Sequence, residues 1–155
     1  MAVAKFYHLT QSPVERAVGL ILTRALAEGM RVVVRGTDAG RMAWLDERLW
    51  LEPADGFLPH GLAGGPHDGL QPVLLTHGAE LPDGASLMAV DGAEVRPDDC
   101  SGRDRVWILF DGTSDAAVAG ARARWSALTK AGVTAEYWSE ESGRWQMNRA
   151  SGNAA

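Results

Sequence analysis

Ala2-Val-Ala-Lys-Phe-Tyr-His-Leu9, then Ser12-Pro-Val-Glu15, then Arg31-Val-Val-Val-Arg35 set out the opening architecture of the chain. The first is rich in apolar and aromatic residues and ends at polar Thr10-Gln11, which predicts a strand. The second has the spacing of a capping box with proline at the first helical position. It opens a helix expected to run to Glu28, burying Val14, Val18, Ile21, Leu22, Ala25 and Leu26, with Gly29 as the residue just past its end. The third is a short β-branched run, as expected of a strand covered on both faces. Strand, helix and strand with short joints form a βαβ unit, which predicts a right-handed crossover and parallel pairing of the two strands.

Working outward, Thr37 is placed to cap a second helix from Asp38 to Leu49 or Trp50, with Met42, Leu45 and Leu49 as its apolar stripe. Leu58 to Leu70 is rich in Gly and Pro and reads as irregular. Pro72–Leu75, Ser86–Val90, Val106–Phe110 and Thr134–Trp138 read as strands, and a long helix from about Ser114 to Ala131 stops at Gly132. Asp91 to Arg105 is crowded with charges, Gly and Pro, so it is expected as a surface loop. Glu140 to Asn148 is expected to pack back on the domain through Trp145. The element order implies a three-layer, Rossmann-like α/β domain over residues 1–150, with a mostly parallel sheet and helices on both faces. Residues 151–155 are expected to form a disordered tail.

The 155 residues suffice for a core without disulfides or metals, and the single cysteine, Cys100, excludes an intrachain disulfide. The start of the chain lacks a signal-peptide layout and no apolar run is long enough to span a membrane, so a cytoplasmic protein is expected. A net charge of −5 opposes binding to nucleic acid over the whole surface. Between Asp115 and Glu136, however, the charged residues are Arg122, Arg124 and Lys130 alone.

Chemistry is hard to find. The first strand–helix junction, Tyr7-His-Leu-Thr-Gln-Ser-Pro13, contains no glycine, so the dinucleotide fingerprint is missing where a Rossmann fold needs it. Gly61-Leu-Ala-Gly-Gly65 runs into Pro66 rather than a helix. His8, His60, His67 and His77 lack metal-ligand spacing, and Cys100, following Asp98-Asp99, reads as an unactivated surface thiol. No catalytic residue, cofactor or metal is predicted. The alternative is a Rossmann-like nucleotide-binding protein or enzyme, supported by strand order alone.

The aromatic residues Trp44, Trp50 and Phe57 instead cluster in Arg41-Met-Ala-Trp-Leu-Asp-Glu-Arg-Leu-Trp50 and Phe57-Leu-Pro-His60, and such side chains are typical anchors of protein interfaces. Leu45-Asp-Glu-Arg-Leu-Trp50, Phe57-Leu-Pro-His60, Leu62-Ala-Gly64, Phe6-Tyr-His-Leu9 and Ala121-Arg-Ala-Arg-Trp-Ser-Ala-Leu-Thr-Lys-Ala-Gly132 resemble the chi subunit of bacterial DNA polymerase III. The resemblance runs from Ala4 to about Trp145. It implies a non-catalytic, Rossmann-like accessory subunit that joins the clamp loader through the psi subunit. It also implies binding to the acidic C-terminal tail of single-stranded-DNA-binding protein, which ends in phenylalanine with a free carboxylate.

By the same resemblance, Trp50 and Phe57, with Pro59 and His60, belong to the psi-facing surface, for which a helicase-like protein competes. Arg122 and Trp125 occupy the tail-binding positions, and the charges of Arg124 and Lys130 are expected to attract the acidic part of the tail. Residues three apart on a helix are neighbours, so an arginine–carboxylate pair beside an aromatic wall is physically sound. Val118, Ala119 and Ser126 stand where family members carry Lys or Gln, so either tail affinity is lower here or positive charge comes from elsewhere, for instance Arg103 or Arg105.

Overall fold

The computed structural model describes residues 3–51, 59–63, 71–78, 81–82, 84–140 and 146–150. In chain order the elements are β1 (Val3–Leu9), α1 (Val14–Ala27), β2 (Val32–Arg35), α2 (Ala39–Leu51), β3 (Gly61–Leu62), β4 (Val73–Thr76), β5 (Ser86–Ala89), α3 (Pro97–Cys100), β6 (Arg105–Asp111), α4 (Asp115–Lys130), β7 (Ala135–Ser139) and β8 (Gln146–Ala150). They build one sheet in the order β3-β4-β2-β5-β6-β1-β7-β8, parallel throughout except for the antiparallel β7–β8 pair. This is the expected three-layer, Rossmann-like arrangement.

Alternation along the strands sorts most of the described core side chains into two large clusters, with Val33, Leu74 and Ala85 forming a third, small one. Leu9, Val32, Val34, Trp107 and Leu109 pack against Val18 and Leu22 of α1 and Met42, Leu45 and Leu49 of α2. Ala4, Phe6, Val106, Ile108 and Phe110 point the other way, against Ala121 and Leu128 of α4 and Cys100 of α3. All four residues of β2 are buried, which accounts for its unbroken apolar run.

Several expectations are corrected. β1 and β2 run parallel but are not neighbours: β5 and β6 lie between them. Short joints fix strand direction and helix face, whereas a helix about 10 Å wide covers two strands spaced about 4.8 Å apart. Ser12 does not cap α1. Pro13 is the N-cap residue with no side-chain cap bond, and the Ser12 hydroxyl donates to Glu140 Oε1 at 2.7 Å. Asp38 rather than Thr37 caps α2, its carboxylate accepting from the Arg41 amide at 2.8 Å. Within the supposedly irregular stretch after Leu58, Gly61–Leu62 pairs with β4 as an edge strand.

The segment from Asp91 to Arg105 is not all surface, because Ala93, Val95 and Cys100 are buried. Cys100 is fully buried rather than a surface thiol, and burial first, then the Asp99 charge, pushes its thiol up to about 11. Trp145 and residues 151–155 lie outside the described residues.

Candidate functional site

The two groups of residues expected to meet partners fall on different parts of the sheet. At the β3 edge, α2 ends in Trp50 and Leu51, which are 47% and 57% exposed, and Leu62 on β3 is 42% exposed. The burial pattern of α2 explains this. Met42, Leu45 and Leu49 take the inward stripe, so Trp50, one residue on, is rotated outward. Its indole lies against the His60 imidazole, with ring centroids 4.1 Å apart. His60 itself is buried, and its Nε2 contacts the Asp46 carbonyl at 2.9 Å and the Asp46 carboxylate at 3.3 Å. His60 therefore holds the start of β3 to α2 and backs the exposed tryptophan. Pro59 is half-buried beside it, and Phe57 lies outside the described residues.

The second group lies on the α4 face. A groove of about 430 Å³ runs along α4, lined by Phe6 and His8 of β1, Phe110 of β6, Tyr137 of β7, and Val118, Ala121, Arg122 and Trp125 of α4. Trp125 is half-buried, packing edge-on against Phe6 at 5.2 Å, so it contributes to the core and keeps a wall of the groove. Arg122 is exposed at the rim. One positive rim group beside an aromatic slot suits an apolar side chain that carries a negative charge.

Arg124 does not join this groove. Two residues along a helix turn it by about 200°, and it lines a second cavity on the other flank of α4. Lys130 is exposed in the last turn. Arg103, expected as a further cation, is directed inward and donates to the carbonyls of Asp99, Pro82 and Ala85 at 2.7, 2.9 and 2.8 Å.

Sequence reasoning missed four walls of the groove: Phe6, His8, Phe110 and Tyr137. Their signal was present in the two-residue period of β1, which puts Phe6 and His8 on one face. The partners on β6 and β7 required the strand order.

The second cavity, about 880 Å³, opens at the carboxyl ends of β1, β5 and β6. There α1 leaves β1 toward β2, and α4 leaves β6 toward β7, so this is the switch point where Rossmann-like proteins hold nucleotides. The amides of the first strand–helix loop are already engaged. Thr10, Gln11 and Ser12 donate to Glu140 Oε2 at 3.1, 3.1 and 2.9 Å. Burial pushes the Glu140 carboxyl pKa up, but the Ser12 bonds and those from Gln11 and Thr10 outweigh it and hold the group below its ordinary value. The chain's own carboxylate thus sits where a phosphate would be cradled.

These features define a class: a Rossmann-like α/β protein without a glycine fingerprint, whose first anion-holding loop is filled from within. Among the described residues no cluster of potential metal ligands and no helix long and apolar enough to cross a membrane is found. The particular family follows from comparison with known proteins. The family model for DNA polymerase III chi subunit, HolC, matches residues 1–136, and the chain belongs to that family.

The chain is 42% identical over 59 residues to the DNA polymerase III subunit chi of Escherichia coli (strain K12), covering 37% of this chain and 40% of that protein. It is 24% identical over 84 residues to the probable DNA polymerase III subunit chi of Rickettsia prowazekii (strain Madrid E), covering 54% of this chain and 51% of that one. The chain therefore spans about half the length, or less, of these curated relatives.

Proposed function

We propose that this chain is a non-catalytic accessory subunit of the DNA polymerase III holoenzyme. It bridges the clamp loader, through psi, to the C-terminal tail of single-stranded-DNA-binding protein during replication in the cytoplasm. The observation that carries this reading is the α4 groove, where aromatic walls from three strands and one helix meet a rim arginine. A terminal phenylalanine fits the slot, and its carboxylate pairs with Arg122. Arg124 and Lys130, on other sides of α4, draw in the acidic residues upstream by a weak, salt-sensitive attraction. The exposed Trp50, with Leu51 and Leu62, is the docking face for psi, or for a helicase-like protein competing for the same surface. By the family resemblance Phe57, Pro59 and His60 are assigned to the same partner.

The test is titration with an acidic peptide ending Pro-Phe. Micromolar affinity, roughly −8 kcal/mol, is expected for so small a contact. Amidation of the peptide and Arg122→Ala should each weaken binding at least tenfold. No detectable binding at low salt refutes the tail-docking role. The cavity at the strand ends favours a second reading, a nucleotide binder. The engaged loop amides weigh against it, and a nucleotide should leave the melting temperature unchanged, since a ligand selective for the native state must raise it.

A further inference from the structure

On the β1 wall of the α4 groove, whose helix carries Arg122, stands a histidine. His8 is partly buried, its ring stacked on Phe110 with centroids 5.0 Å apart and set edge-on to Tyr137 at 5.6 Å. Its Nδ1 is hydrogen-bonded to the Tyr137 hydroxyl. The ring is pressed close to Gly112, where a Cβ would fall 2.0 Å from Nε2 and 2.9 Å from the Leu9 carbonyl oxygen. Glycine at that position is what leaves room for the imidazole. Two aromatic neighbours, one hydroxyl and one bare backbone therefore fix the ring in a single orientation, with Nε2 bonded to none of the described residues.

We propose that His8 is a second reader of the peptide's terminal carboxylate, acting with Arg122 from the opposite wall of the groove. This rests on the tail-docking reading above and deepens it. A phenolic O–H donating into Nδ1 leaves the ring proton on Nε2, so a ring that lines the groove keeps one donor of its own. Arg122 supplies full charge at an exposed rim, where water screens it. His8 supplies a fixed donor among aromatic rings, where a hydrogen bond to a carboxylate is stronger. Together they select a chain end over an internal phenylalanine, because an amide in place of the carboxylate loses acceptor capacity at both.

The experiment measures affinities of the wild type, His8→Leu and Tyr137→Phe for the free-acid peptide and its amidated counterpart. His8→Leu keeps an apolar body in the slot. It should weaken the free acid about tenfold and leave the amide unchanged, and Tyr137→Phe should weaken the free acid severalfold. The ¹⁵N resonance of His8 Nε2 should move with the free acid and not with the amide. Loss of both peptides in equal measure by His8→Leu, or an unaltered free-acid affinity, overturns the assignment and leaves the Arg122 reading standing. Failure of the wild type to bind the free acid overturns both.

Discussion

At the scale of single residues, Glu140 carries the most consequence for its size. One carboxylate takes three backbone amides and a hydroxyl from the loop between β1 and α1, joining residues separated by most of the chain. That loop also takes the place of the absent glycine fingerprint. Hydrogen bonds to a charged acceptor are worth more than neutral ones, and amides left unpaired in a partly buried turn are costly. Glu140→Gln is therefore expected to lower stability by about 2 kcal/mol at neutral pH, measured by denaturant unfolding. The pH dependence follows from the direction of the shift. The folded-state pKa lies below the ordinary 4.5, so the contribution is full above that value and is lost as pH falls through the folded value. The stability gap between wild type and variant should be constant at neutral pH and close in acid. A gap that persists unchanged in acid would show that the carboxylate's charge is not what the loop requires.

At the scale of elements, the charged segment between β5 and β6 is held from the inside. Arg103 donates to three carbonyls contributed by α3 and by the turn before β5. Buried Arg35, at the end of β2, meets Asp99 of α3 at 3.0 Å. The planar guanidinium fork satisfies several fixed acceptors at once, which an ammonium on a flexible stem does not. Arg103→Ala should cost about 2–3 kcal/mol, and Arg103→Lys should restore little of it. Native-state labelling of Cys100, slow in the wild type because the thiol is buried and its pKa raised, should accelerate in Arg103→Ala. Equal labelling rates would show that α3 stays closed without the guanidinium. This segment also marks where sequence reading stops. Val32–Val34 and the stripe Met42, Leu45, Leu49 were legible because period and composition agree. Ala93, Val95 and Cys100 were not, because three small apolar residues among eight charged ones leave no period to read. The groove was half legible for a related reason: Arg122 and Trp125 are neighbours on one helix, whereas Phe110 and Tyr137 reach it only through strand order.

At the scale of the whole molecule, the sheet separates the two faces proposed for docking. Trp50 and Leu62 belong to the β3 edge, and the α4 groove is walled by β1, β6 and β7. β3 and β1 are the first and sixth strands of the order, so the faces lie about 24 Å apart at about 4.8 Å per strand. Residues that far apart with no shared partner usually act additively. The elements between them are packed strands. Simultaneous occupancy is the property a bridging subunit needs. Trp50→Ala should abolish or strongly weaken capture of psi while changing the tail-peptide affinity less than twofold. Arg122→Ala should do the reverse. In a ternary titration, saturating psi should leave the affinity for the free-acid peptide unaltered, giving a coupling free energy near zero. A tenfold change in peptide affinity on adding psi would mean that the partners compete or that the sheet transmits their binding, and the chain would then be a switch between partners rather than a bridge.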